Sequence, residues 1–438
     1  MASKSISSAA IILLHAACGA AVPLNQAATG TVAAAAPPAT FTPNPNVGPG
    51  RGNNYYTDSA HFRLYGASGT QASASLNMLE AAYDCYINTM GWRSSGLSYN
   101  SANDDGPFYK VNVYSVGSLG GSAGVMHNDA ASGLAWLEVL PDYLANPWIT
   151  VHEWGHGITY AERYWVDQGR TGAWWETIAN WVADTYKTST FCASARSAHG
   201  QSATATEINL RKIIGDSYQV LVDGSVNTGN YYEAWPFLSY ITANPDGYAG
   251  LGKTAVRDMI RKYNRGSNET PLHSLDRIAT STTAQAIVAR YWARMAYVDI
   301  GHPTAQQVFL QQRNSLNYAN LDAQGTTGTY KVKRARQPRY MGANIIPLKI
   351  SGAVTVTAKV TANKAFTATL AVRNTSSGAT RYVDLANGTG STAVSANEEA
   401  SLVIVNTPSS LILFDPFSLT SDVQAGLDYT VTLTGATA

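Results

Sequence analysis

The spacing of hydrophobic positions changes along this chain, and the changes divide it into regions. From about residue 58, HFRLYGAS reads as a strand, and QASASLNMLEAAYDCYINTMGW carries apolar residues at helical spacing. FYKVNVYSV alternates with a period of two and predicts a second strand. A glycine-rich turn, SLGGSAG, follows, and GLAWLEVLP predicts another strand ended by Pro141. Between about residues 146 and 312 the pattern is mostly helical, most clearly in YAGLGKTAVRDMIRKYN and TTAQAIVARYWARMAYVDI. After about residue 340 the helical period disappears. NIIPLKISGAVTVTAKVTA, AFTATLAVRN, TRYVDLA, EEASLVIVNT and DYTVTLTG are short Val/Thr/Leu-rich runs punctuated by Asn, Gly and Ser, which predicts a β-sandwich or jelly roll. The expected fold class is α+β: a small sheet with a helical bundle over residues 57–340, then an all-β accessory domain over 341–438.

The segment before residue 57 has a different texture. A lysine near the start, an apolar run from Ala9 to Leu14 and small residues through Ala21 form the pattern of a secretory signal peptide over residues 1–21. Residues 22–56 are rich in Ala, Pro, Gly, Thr and Asn, and are expected to be a linker or leader. No stretch approaches the ~20 apolar residues of a membrane span. With 13% charged residues and a net charge of +1, the chain does not have the basic balance of a nucleic-acid binder. Of its three cysteines, Cys18 falls in the signal peptide. Cys85 and Cys192 are left to pair in an oxidising compartment. Sequons at Asn268, Asn374 and Asn387 allow for glycosylation.

The chemistry concentrates at 151-VHEWGHGITY-160. On a helix, His152 and His156 lie four apart on one face and can reach one ion. Glu153 sits one step round, where it can contact water activated by that ion. A catalytic zinc needs a third protein ligand, and two candidates present themselves. Glu162 lies where metzincin-type sites place their third ligand, but those sites break the helix with a glycine at the position held here by Thr159. Glu176, in 173-AWWETIANWVADTY-186, would come from a second helix lying antiparallel to the first, and is favoured because that glycine is missing. Asn180 and Asp184 follow at one-turn intervals and are candidates to orient a ligating histidine.

The succession HEWGH, a gap of about twenty residues and then WWETIANWVAD resembles the gluzincin clan of zinc metallopeptidases. The wider order of features, including GLAWLEVLP and 231-YYEAWPFLSYITANPD-246, resembles the Svx-type secreted proteins of plant-pathogenic microbes. The resemblance implies a zincin-like catalytic domain with Zn2+ held by His152, His156 and Glu176, and Glu153 as general base. It implies Tyr231, Tyr232 or His199 as stabiliser of the oxyanion, and 132-SGLAWLEVL-140 as the strand beside the substrate cleft. The second motif lacks the family's N-E-x-x-x-D form, since Trp175 precedes Glu176 and Asn180 follows it. The expected function is a secreted, extracellular metallopeptidase acting on protein or peptide substrates. The alternatives are a secreted effector on a zincin scaffold without peptidase activity, its C-terminal domain binding carbohydrate or a cell-wall ligand, and another zinc hydrolase such as an amidase.

Overall fold

The computed structural model describes residues 37–49 and 55–438, so the signal peptide expected at 1–21 and most of the leader lie outside the described residues. The chain opens with strands β1 (Tyr56–Asp58) and β2 (Phe62–Tyr65), helix α1 (Gly69–Tyr83), and strands β3 (Val111–Ser115), β4 (Gly124–Asp129) and β5 (Leu134–Val139). These strands form a five-stranded sheet in the order β1-β2-β3-β5-β4. β2, β3 and β5 run parallel, and the flanking β1 and β4 run antiparallel to them. Leu64, Val113, Leu137 and Val139 point inward and are fully buried, with α1 packed against this face. Helices α2 (His152–Ala161) and α3 (Trp174–Thr188) come next, followed by a succession of short helices ending with Ala305–Gln312.

The β-rich region takes in more of the chain than the sequence pattern predicts. Strands β6 (Leu321–Ala323) and β7 (Thr329–Val332) already belong to it. They join β9 (Val354–Ala362), β12 (Thr389–Val394) and β14 (Tyr429–Thr434) in the order β12-β9-β14-β7-β6. The facing sheet, β11-β10-β13-β8, is built from β8 (Ala343–Leu348), β10 (Thr367–Asn374), β11 (Thr380–Asp384) and β13 (Glu398–Val405). Both sheets are antiparallel, and Leu370, Leu402, Ile404, Val356 and Val431 fill the space between them. Pro347 is tolerated because β8 is an edge strand with no ladder bond needed on its open side. The outer face of this sheet is also apolar: Ala343, Ile345, Ala371, Val403 and Val405 join the core of the helical region. The overall class is therefore α+β with a β-rich C-terminal region.

One smaller feature departs from the expectation and another agrees with it. Residues 37–49, read as linker, pack down on the sheet. Phe41 stacks on Phe108 with ring centroids 5.1 Å apart, and Val47 is 3% exposed. Asn112 Nδ2 and the Tyr114 hydroxyl both donate to the Val47 carbonyl. Cys85 and Cys192 are joined in a disulfide that closes 107 residues of chain and ties the end of α1 to the segment after α3. No helix among the described residues is long and apolar enough to cross a membrane. Of the sequons, Asn268 and Asn387 are exposed and Asn374 is half-buried.

Candidate metal centre

Asn146 starts the helical run that carries HEWGH: its side chain accepts from the Trp148 amide, and Pro147 needs no partner for a missing N–H. A wide first turn over Pro147–Val151 leads into α2. The face of α2 bearing Trp154 and Ile158 is fully buried, which leaves His152 and His156 on a half-buried face turned towards α3. The two helices pack closely because Gly155 has no side chain. A Cβ there would lie 3.1 Å from Ala179 Cα and from Val182 Cβ. That proximity brings the first turn of α3, with Glu176, against the two histidines.

The result is a compact triangle of donor atoms. His152 Nε2 and His156 Nε2 are 3.2 Å apart, and Glu176 Oε2 lies 3.3 Å from the first and 3.4 Å from the second. Three ligands about 2.05 Å from a tetrahedral ion are separated by about 3.3 Å, so the triangle matches the base of such a site, with one position left open. Two imidazoles and a carboxylate are also a donor set that suits zinc. His152, His156 and Glu176 can therefore hold a metal ion.

The surroundings favour positive charge where the three atoms meet. Burial disfavours the His152 cation, but its hydrogen bond to Glu176 and the fields of Glu153 and Glu176 outweigh burial and hold its pKa up at about 9. Burial would raise the Glu176 pKa, yet the two histidines pull it well below the usual carboxylate range. His152 Nδ1 lies 2.7 Å from Asn180 Oδ1, and the Asn180 amide in turn donates to the Tyr232 carbonyl. Because Asn180 Nδ2 is committed as a donor, its Oδ1 accepts from Nδ1–H of His152, leaving the Nε2 lone pair for a metal.

Glu153 is buried between α2 and strand β4. Gly124 of β4 makes room for it, since a Cβ there would sit 2.7 Å from Glu153 Cγ. Burial raises the Glu153 pKa, opposed by His152 and His156 and reinforced by the charge of Glu176. Tyr231 and Tyr232 lie on the short helix Asn230–Glu233, tied to α3 by hydrogen bonds from Thr177 to the Tyr231 carbonyl and from Asn180 to that of Tyr232. Their rings are 4.5 Å apart. Burial, then the nearby Glu176 charge, raises both phenol pKa values, so both remain protonated donors.

Other candidates lie elsewhere. Glu162 is 1% exposed and its oxygens receive Arg261 at 2.7 and 2.8 Å and the Arg93 amide at 2.7 Å. The helix does stop there, with Arg163 at φ 74°, although no glycine marks the end. Asp184 is fully buried and bonded to His302 and Thr206, both at 2.6 Å, rather than to a histidine of the triangle. His199 pairs with Asp84 at 2.5 Å, beside the disulfide. The strand expected to border the cleft, Leu134–Val139, is paired on both sides; the edge next to it belongs to β4.

Residues 67–399 match the Family of unknown function (DUF6055), a span covering most of the chain, and the chain belongs to that family. No curated protein matches it.

Proposed function

We propose that this member of the DUF6055 family is a secreted zinc-dependent metallopeptidase with a zincin-like catalytic domain of the gluzincin kind. The observation that carries the reading is the 3.2–3.4 Å triangle of His152, His156 and Glu176 donors with Glu153 beside it. Zinc, when bound, supplies a Lewis acid for the scissile carbonyl and lowers the pKa of water towards neutrality.

The remaining work falls to side chains. Glu153, buried against Gly124, is suited to take the proton of the attacking water and pass it to the leaving amine. Burial raises its pKa, which strengthens it as a proton acceptor. Tyr232, held protonated, is suited to donate a hydrogen bond to the oxyanion of the tetrahedral intermediate, with Tyr231 packed against it. Asn180 holds His152 in the tautomer that binding needs. The Cys85–Cys192 disulfide and the resemblance to Svx-type secreted proteins support an extracellular setting.

The test is digestion of a peptide library by the zinc-loaded protein, with products identified by mass spectrometry, beside the Glu153→Gln variant. Amide-bond cleavage by the wild type, reduced by about 10³-fold or more in the variant with zinc retained, is the expected result. Equal cleavage by both, or none by either, contradicts the reading.

A further inference from the structure

The C-terminal sandwich places one of its own side chains against the loop that precedes α3 and against Tyr231. The connection between β13 and β14 leaves the sandwich and lies on the helical region. Leu411, Ile412 and Leu419 pack against that core. Phe414 is buried edge-on against Tyr340, 5.5 Å between centroids, and the Ile412 amide donates to the Tyr340 hydroxyl.

At the tip the chain makes a tight turn, Asp415-Pro416-Phe417-Ser418. Asp415 Oδ1 accepts from the Phe417 amide at 2.9 Å, and Pro416 fixes the first turn position. The Pro416 carbonyl accepts from the Gly224 amide at 3.0 Å, which pins the turn to the loop that leads into Tyr231 and Tyr232. Phe417 lies directly over Gly172, just before α3, and over Gly224; a Cβ at either position would come within 2.7 Å of its ring. Its ring meets Tyr231 edge to face at 5.8 Å. Phe417 is thus seated on the backbone leading to Glu176 and on Tyr231, while 40% of the residue stays open to solvent. Val226, 76% exposed, projects from the same loop as Gly224.

An aromatic ring anchored on three sides by glycines and a tyrosine, yet open on the fourth, is built for contact.

We propose that Phe417 is a specificity-determining wall of the substrate cleft, contributed by the C-terminal domain, which receives a large apolar side chain of an extended polypeptide bound at the metal centre. The proposal rests on the metallopeptidase reading. It makes the sandwich a working part of the cleft rather than a detached accessory domain. Apolar burial against such a wall discriminates a leucine from a glycine side chain by about ten- to a hundredfold.

The experiment is calorimetric binding of two short peptide hydroxamates, one leucyl and one glycyl, to the zinc-loaded full chain, its Phe417→Ala variant and its Phe417→Leu variant. Hydroxamate chelates the metal directly, so no turnover is needed. The wild type is expected to prefer the leucyl compound by tenfold or more. Phe417→Ala should lose that preference while keeping its zinc and its affinity for the glycyl compound, and Phe417→Leu should retain most of the preference. Equal affinity of the wild type for both compounds overturns the proposal alone. So does a preference that survives Phe417→Ala, or a parallel loss of both affinities in that variant. Failure of the zinc-loaded wild type to bind either hydroxamate overturns the metallopeptidase reading, and the wall with it.

Discussion

Gly155 offers a way to perturb the metal site without touching a ligand. In Gly155→Ala the new Cβ would stand 3.1 Å from Ala179 Cα, 3.1 Å from Val182 Cβ and 3.2 Å from Val182 Cγ1. Carbon atoms prefer about 3.5–4.0 Å, so α2 and α3 must separate by about half an ångström. Both histidines ride on α2 and Glu176 rides on α3. The shift therefore leaves the His152–His156 separation of 3.2 Å alone and opens the two His–Glu separations of 3.3 and 3.4 Å. Half an ångström exceeds the about 0.2 Å tolerance of metal–ligand distances. Overpacking costs about 1–3 kcal/mol, offset by the ~1 kcal/mol helical advantage of alanine over glycine, so the metal-free variant should be destabilised by at most about 2 kcal/mol. Zinc affinity should fall by about ten- to a hundredfold, as it does when the support of a ligand is lost. Competition against a chromophoric chelator measures the affinity, and thermal melts with and without zinc separate it from stability. Wild-type zinc affinity in Gly155→Ala refutes the view that helix contact sets the triangle.

Asn180→Ala removes the acceptor of His152 Nδ1–H and should weaken zinc binding by about 10–100-fold while the helical circular dichroism stays unchanged; wild-type affinity by chelator competition contradicts that role. Glu162→Gln should keep one zinc per chain but lower stability by about 1–3 kcal/mol in urea, because it breaks the ion pair of the buried Glu162 with the half-buried Arg261; loss of zinc would contradict the ligand assignment. Burial pushes the Glu233 pKa up to about 7, against the pull of Asn209 and Lys212. A raised folded-state value means that its contribution to stability is fully present below the unfolded pKa of about 4.3 and is lost as pH rises through about 7. The melting temperature should therefore fall between pH 5 and pH 8, and Glu233→Gln should flatten that fall by about 1–3 kcal/mol; identical pH profiles for the two proteins contradict it.

The two-helix site was legible because ligand spacing on a helix is a local property. His152 and His156 four apart need only the helix, and Glu176 needed only a second helix with its polar turn facing the first. The missing glycine at Thr159 does not by itself separate Glu162 from Glu176. The helix ends at Ala161 after all, and it is Arg261 and Arg93, distant in the chain, that occupy the Glu162 carboxylate. The edge strand β4 was hidden because VMHND is too polar to read as a strand, whereas its neighbour LAWLEV is a nearly continuous apolar run. Composition averaged away Phe41 and Val47, two apolar anchors in an otherwise bland leader. β6 and β7 were missed because they are short and are stabilised by pairing, β7 with the distant β14. Phe417 carried no sequence signal at all, since its neighbours Gly172, Gly224 and Tyr231 are brought to it only by the docking of the sandwich on the helical region.

We propose that α2 and α3 together hold one catalytic metal. The most direct measurement is zinc per chain, by mass spectrometry of the metal in the purified full-length protein and in the Glu176→Ala and Glu162→Ala variants. The triangle of His152, His156 and Glu176 predicts one zinc in the wild type and in Glu162→Ala, and loss of that zinc on dialysis in Glu176→Ala. A wild type that takes up no zinc, or a Glu176→Ala variant that holds it as tightly as the wild type, would contradict the account.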